Sequence, residues 1–148
     1  MSKIVQAFLS GMFFTFILDF FLFLGIQKNY IEPNEIELYY NILFADNQNI
    51  FVFLFFSILL GYITLYRSNK LSISFITALF LIVVSTLIAP VGEFAGELLL
   101  QEKNKILTTQ KFVYYGDIYY NARKSLYFYD TKLDKLLKIE KKEIKELQ

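Results

Sequence analysis

The sequence contains no cysteine and no histidine. Without cysteine, the chain can form no disulfide, no thiolate metal site and no thiol nucleophile. Without histidine, it lacks the usual neutral-pH proton shuttle and the Ser/His and Cys/His nucleophile systems. No glycine-rich phosphate loop, G-x-S-x-G motif, H-E-x-x-H motif or EF-hand spacing occurs. We therefore expect a chain that is not an enzyme and that binds neither a metal nor a cofactor.

Charged residues are scarce and unevenly distributed. They make up 20% of the 148 residues, against 55% apolar and 19% aromatic residues, and the formal net charge is only +1. An apolar share this high exceeds that of ordinary soluble proteins and indicates contact with lipid. Eleven of the 15 lysines and arginines lie after residue 102. This distribution predicts a membrane domain over residues 1–100 and a small polar domain over residues 101–148.

Three hydrophobic stretches are long enough to cross a bilayer as helices, at about 4–26, 50–66 and 71–90. The first contains one charged residue, Asp19. A signal peptide also begins with a lysine before an apolar run, but this run is longer than a normal apolar core and lacks a small-x-small cleavage site. We expect it to stay as the first of three transmembrane helices.

The segments between and after these stretches are more polar. Residues 27–49 carry four acidic residues, and the spacing of their apolar residues predicts a short interfacial helix, with an irregular loop as the alternative. Pro90 is expected to end or kink the third helix, with a helical continuation to residue 100 as the alternative.

The polar domain has the alternating pattern of β-strands. Strands are predicted at 111–120, 125–130 and 136–140, with a possible fourth at 106–109 and either a strand or a charged helix at 141–147. The expected fold is thus a three-helix membrane bundle followed by a small antiparallel β meander. The pattern is also typical of small SH3-like or Sm-like barrels, a likeness of shape that implies no activity.

Basic residues in short loops favour the cytoplasmic side of a membrane. Lys3 and the short basic link Arg67–Lys70 predict that the amino terminus and this link are cytoplasmic in a bacterial inner membrane, with the carboxy-terminal domain outside. Lys103, Lys105 and Lys111 pull the other way because they follow the third helix closely. We favour the link because it lies outside any folded domain.

Asp19 is the most informative position, since a carboxylate within a bilayer is costly and usually faces a partner or a cavity. At intervals of four it forms one helical stripe with Ala7, Gly11 and Thr15. We expect Asp19 to lie about 10 Å inside the outer end of its helix. At that level Ser85 and Thr86 of the third helix are its predicted hydrogen-bond partners. The alternatives are a proton or cation path and recognition of another membrane subunit.

Further small or acidic residues are spaced by four along the helices. Ser57 with Gly61, and Ser74 with Ala78, form small-xxx-small patterns, which we expect to pack within the monomer, with self-association as the second choice. Glu93 and Glu97 share a helical face near the membrane surface, where they form either a solvated face or a carboxylate pair that binds a cation.

The tyrosines of the carboxy-terminal domain alternate with basic residues, a composition that nucleic-acid-binding sheets also use. Cross-strand aromatic pairs and attraction to anionic lipid explain it more simply, so we expect no nucleic-acid partner. The leading hypothesis is a non-enzymatic membrane accessory or scaffold protein that binds the bilayer and other membrane subunits or copies of itself. The alternative is a subunit of a small oligomeric channel or transporter that uses Asp19 in a polar path.

Overall fold

The longest helix begins directly after Ser2. The computed structural model describes residues 2–147. Helix α1 spans Lys3–Ile26 and continues through a π-helical turn, Gln27–Ile31, so that one helix of 29 residues is formed. The Ser2 hydroxyl accepts a hydrogen bond from the Val5 amide at 3.3 Å and so satisfies one free N–H group of the first turn. The helix predicted at 4–26 is present and continues to residue 31.

The second and third helices meet at a sharp corner. Helix α2 spans Tyr40–Asn47, within the segment predicted to hold a short helix, and α3 spans Ile50–Tyr66. The two axes are bent by 83°. Asn49 makes the corner possible, because its side-chain oxygen accepts hydrogen bonds from the amides of Phe51 and Val52 at 2.9 and 3.3 Å.

The last apolar stretch forms two helices. Helix α4 spans Asn69–Val84, a 3₁₀ turn spans Ser85–Leu87, and α5 spans Ala89–Leu100. Pro90 lies in the first turn of α5, where its missing N–H would have no helical partner. The helix is thus interrupted close to Pro90, as predicted, and residues 89–100 form a separate helix and not a continuation of the same one.

Two segments are helical and apolar enough to cross a membrane, Lys3–Ile31 and Asn69–Leu87. A third span results if Tyr40–Asn47 and Ile50–Tyr66 count as one bent element. Helices α1 and α3 run antiparallel, so that the amino terminus and the Arg67–Lys70 link lie at one end of the helices, and α2, α5 and the sheet lie at the other.

The carboxy-terminal region forms a five-stranded antiparallel sheet, in agreement with the predicted meander. The possible strand at 106–109 is the second half of a longer strand, and of the segment 141–147 only residues 144–147 form a strand. The strands are β1, Glu102–Thr109; β2, Val113–Asn121; β3, Ser125–Asp130; β4, Lys135–Glu140; and β5, Ile144–Leu147. A 3₁₀ turn, Lys141–Glu143, carries the chain from β4 to β5, which pairs with β1 and gives the order β4-β3-β2-β1-β5.

Side chains of β3 point alternately to the two faces of the sheet, and each face has its own apolar core. Leu126 and Phe128 point to the inner face, where they pack with Leu107, Ile118 and Ile139. Tyr127, between them, points to the opposite face and packs against the helices. The second core contains Phe23, Ile26, Tyr30, Ile31, Ile36, Leu43, Tyr120 and Tyr127. The outer face of the sheet is thus fixed to the end of α1 and to α2.

Candidate functional site

The seam between α1 and α3 determines where Asp19 lies. A side-chain carbon added at Gly11 would be 1.8 Å from the backbone oxygen of Ser57, and one added at Gly61 would be 2.2 Å from the backbone oxygen of Ala7. The two backbones therefore touch at these glycines. Thr15 lies buried on the same stripe, and its hydroxyl donates to the Gly11 carbonyl at 2.9 Å.

Asp19 follows one turn beyond Thr15 and meets the corner between α2 and α3. The amide nitrogen Nε2 of Gln48 donates to Asp19 Oδ2 at 3.0 Å. The prediction that Ser85 and Thr86 are the partners of Asp19 is wrong. The stripe that carries Asp19 faces α3, whereas Phe14, Ile17 and Leu18 face α4.

Ser85 and Thr86 make other bonds at the break between α4 and α5. The Ser85 hydroxyl donates to the Ile82 carbonyl, and the Thr86 hydroxyl donates to the Val83 carbonyl, both at 2.6 Å. Asn29 Nδ2 donates to the Thr86 carbonyl at 2.8 Å. The polar groups of the 3₁₀ turn are therefore satisfied by its own helix and by the end of α1.

The predicted depth of Asp19 is also wrong. Helix α3 begins at Ile50, next to the residue that holds Asp19. Twelve further residues carry α1 from Asp19 to Ile31, a length of about 18 Å at 1.5 Å per residue. Asp19 thus lies where the part of α1 that is paired with α3 ends. The residues of α1 after Asp19 pack in the core between the helices and the sheet.

At the level of Asp19, three consecutive amide side chains connect the sheet, α1 and α3: Asn47, Gln48 and Asn49. We call them the amide corner. Asn47 Nδ2 contacts the Tyr120 hydroxyl of β2 at 3.2 Å, Gln48 binds Asp19, and Asn49 caps α3. Burial raises the pKa of Tyr120, so its hydroxyl stays protonated and able to form hydrogen bonds at neutral pH.

A cleft of about 340 Å³ lies between Asp19, the amide corner and the end of α5. We call it the Asp19 cleft. Its apolar walls are formed by Leu22, Phe23, Val52, Phe53, Leu99 and Leu100. Within residues 2–147, Gln48 is the one hydrogen-bond partner of Asp19, and no lysine or arginine forms an ion pair with it. The cleft therefore joins an uncompensated carboxylate to an apolar surface.

Polar contacts also hold the sheet on the helices. The Tyr30 hydroxyl donates to the Tyr119 carbonyl at 2.9 Å. Arg123 Nε lies 2.9 and 3.0 Å from Oδ1 and Oδ2 of Asp46, and Arg123 Nη2 also donates to Oδ1, so two guanidinium nitrogens bind the carboxylate. Lys138 pairs with Glu37 at the far edge. These contacts complement the apolar core between the two parts.

The other predicted residues are not brought together into a site. Glu93 is exposed, and Glu97 pairs with Lys103 at 3.2 Å. Within residues 2–147 no group of three or more potential metal ligands is found. Ser74 and Ala78 are exposed on α4, so the prediction that they pack within the monomer is wrong.

One exposed apolar surface belongs to the sheet. We define the β1–β2 patch as Ile106, Val113 and Tyr115, which are 37%, 48% and 41% exposed. Ile106 pairs with Tyr115 across the two strands, so both side chains lie on one face. Lys132 lies over the Tyr115 ring at 4.3 Å and borders the patch with a positive charge.

The sequence analysis missed the amide corner and the β1–β2 patch. A signal for the corner exists, because an Asn-Gln-Asn run directly before an apolar stretch is a helix start. The patch has no such signal, because the alternating sequence does not show which part of the outer face the helices cover.

Comparison with known proteins finds no matching family model, no matching curated protein and no matching solved structure. The function is therefore argued from geometry alone.

Proposed function

We propose that the chain is a non-enzymatic accessory or scaffold protein of a bacterial inner membrane, with three membrane-spanning segments. Its sheet holds a docking surface at a set position above the bilayer. The partner is another membrane subunit or a second copy of the chain. The observation that carries the proposal is the shared core, in which the outer face of the sheet packs on the end of α1 and leaves the β1–β2 patch uncovered.

The docking of the sheet supports a scaffold role. Tyr30 is 2% exposed and Tyr127 is 4% exposed, although both lie between elements that are far apart in sequence. Burying two large aromatic side chains contributes several kcal/mol, at about 1.5–3 kcal/mol for each. A sheet attached this firmly presents its free surface at a constant height and angle, which suits a subunit that positions a partner.

The β1–β2 patch supports protein binding at that surface. Apolar and aromatic residues with a positively charged border are typical of the centre of a protein interface. The order of the strands, with β5 beside β1 after a 3₁₀ turn, supports the interpretation of the sheet as a small SH3-like or Sm-like barrel. In such a barrel the docking surface would be one sector of the outer wall.

The orientation that we propose keeps the amino terminus and the Arg67–Lys70 link cytoplasmic, with the sheet outside. Lys3, Arg67 and Lys70 lie at the end of the helices away from the sheet. Short basic segments of this kind are retained on the cytoplasmic side.

A channel or transporter subunit is the second candidate. Asp19 in its cleft favours it, because an accessible carboxylate at the membrane level is common in ion paths. The packing of α1 argues against a channel, because the residues that precede Asp19 on the same stripe lie against α3, where the two backbones touch. A polar path would need a route outside this seam.

The test of the scaffold proposal is purification of the full chain in mild detergent, after alkaline carbonate washing of the membranes and cross-linking in them. We expect the chain to stay in the membrane fraction and to run as part of a larger complex. Val113→Asp should abolish the complex, because it places a charge in the apolar patch. Leu133→Asp is the matched control, since Leu133 is 61% exposed in the β3–β4 turn and outside the patch.

Two outcomes decide against the proposal. Release of the chain by carbonate would exclude membrane insertion. A monomeric chain, with Asp19-dependent cation or proton flux in liposomes, would favour the channel subunit instead.

A further inference from the structure

The Asp19 cleft has the chemistry of a lipid headgroup site. We propose that it binds a phospholipid with a primary-amine headgroup, such as phosphatidylethanolamine. The ammonium group lies on the Asp19 carboxylate, and an acyl chain lies along Val52 and Phe53. The inference rests on the proposed membrane insertion.

The carboxylate is prepared for a cation. Gln48 donates to Oδ2 of Asp19 at 3.0 Å and so holds the carboxylate in place at the floor of the cleft. Within the described chain the other oxygen, Oδ1, accepts no hydrogen bond, and no lysine or arginine neutralises the charge. An ammonium group supplies both the missing charge and N–H donors, and such charge-assisted bonds are about twice as strong as neutral ones.

The walls of the cleft match the rest of a lipid. Leu22, Val52, Phe53 and Leu99 are apolar, and Val52 and Leu99 are 51% and 54% exposed at its margin. Val52 and Phe53 belong to α3, so on that side the apolar lining continues towards the hydrocarbon, whereas Leu22 and Leu99 lie on the sheet side of Asp19. A free amine in solution would leave this surface without a partner, whereas an acyl chain covers it.

The position of the cleft along the helix axis favours a lipid headgroup as the ligand. Asp19 and the amide corner lie where α3 begins and α2 turns away by 83°, so that α2 lies across the direction of α3 and does not lengthen it. We place this bend at the boundary between hydrocarbon and headgroups, because the 17 residues of α3 cover about 25 Å, close to the thickness of the hydrocarbon. Phospholipid headgroups occupy this level in every membrane, so their binding requires no second protein. A lysine or arginine of another subunit would offer the same charge, but only when that subunit is present.

The experiment measures lipid binding to the purified full chain by native mass spectrometry, with phosphatidylethanolamine, phosphatidylcholine and phosphatidylglycerol of identical acyl chains. We expect phosphatidylethanolamine to bind about tenfold more tightly than phosphatidylcholine, whose quaternary nitrogen donates no hydrogen bond. Phosphatidylglycerol should bind most weakly of the three because it is anionic.

Three variants locate the site. Asp19→Asn should bring the two zwitterionic lipids to equal affinity, and its amide can still accept the bond from Gln48. Val52→Trp keeps Asp19 but fills the mouth of the cleft, so it should weaken phosphatidylethanolamine binding even if Asp19→Asn folds poorly. Glu93→Gln removes an exposed acid outside the cleft and should leave the preference unchanged.

Equal binding of both zwitterionic lipids to the native chain would overturn the inference. So would a preference that survives both Asp19→Asn and Val52→Trp, or a partner helix cross-linked into the cleft through a basic residue. Each of these results leaves the chain resistant to carbonate, so it is distinguishable from failure of the proposed membrane insertion.

Discussion

Replacing Gly11 with alanine should open the seam between α1 and α3. The new methyl carbon would lie 1.8 Å from the Ser57 carbonyl oxygen, whereas real contacts of this kind are essentially never shorter than 3.0 Å. The two helices must therefore move apart by the difference, 3.0 − 1.8 = 1.2 Å, or more. The atom in the way belongs to the backbone, so no side-chain rotation relieves the clash.

The cost follows from the packing that is lost. A gap of 0.5–1 Å already removes about a quarter to a half of the attraction of each contact along the seam. Inserting a carbon into a tight core typically costs about 1–3 kcal/mol, and a backbone clash places Gly11→Ala at about 3 kcal/mol. Gly61→Ala should cost a similar amount, because its methyl carbon would meet the Ala7 oxygen at 2.2 Å from the opposite side.

The assay is unfolding in mixed micelles by titration with sodium dodecyl sulfate, followed by the helical circular dichroism signal. Ala78→Leu is the control, because Ala78 is a small residue of the same spacing that lies exposed on α4. We expect it to change the free energy of unfolding by less than about 0.5 kcal/mol. Equal midpoints for the native chain and Gly11→Ala would refute the close contact of the two helices.

Two further predictions concern the attachment of the sheet. Tyr30→Phe should lower the free energy of unfolding by about 1–2 kcal/mol, since the Tyr119 carbonyl loses its donor, while Tyr39→Phe, at a site 79% exposed, should have no effect on the thermal midpoint. Lys138 lowers the pKa of Glu37, so this pair stabilises the fold above the unfolded pKa of about 4.3, and the stabilisation is lost as the pH falls through the lower folded value. The thermal midpoint of Glu37→Gln should therefore lie slightly below that of the native chain at pH 7, because an exposed ion pair contributes little, and the difference should shrink as the pH falls below about 4; a difference independent of pH would contradict the pairing.

The apolar runs and the alternating pattern were sufficient to predict most helices and strands. Hydrophobic length indicates a helix without knowledge of its neighbours, and alternation indicates a strand. The bounds of α3 and β3 agree with the prediction because polar residues end both elements abruptly.

The partner of Asp19 could not be predicted in the same way. Its stripe with Ala7, Gly11 and Thr15 was visible, but the helix it faces and the level of that helix depend on tertiary packing. The choice of Ser85 and Thr86 assumed that the stripe faces the third helix. In the structure Thr86 does lie near that level, with its hydroxyl 3.5 Å from the Phe21 carbonyl, but the stripe faces α3, so the partner of Asp19 is Gln48.

The glycines of α5 show the same limit. Gly92 and Gly96 suggest a flexible segment when only the sequence is considered. In the structure both are buried within the helix, and a side-chain carbon at Gly96 would be 2.2 Å from the Tyr30 ring. Their small size permits close approach to α1, which the sequence alone does not distinguish from flexibility.

The uninterrupted course of α1 through Asp19 has a mechanical consequence. The part of α1 that follows Asp19 packs in the core between the helices and the outer face of the sheet, so the sheet cannot rotate independently of α1. A tilt of the spanning part by about 10° would displace the far end of α1 by roughly 3 Å over its last 18 Å or so. A sideways movement of the first part of α1 would therefore displace the sheet with it.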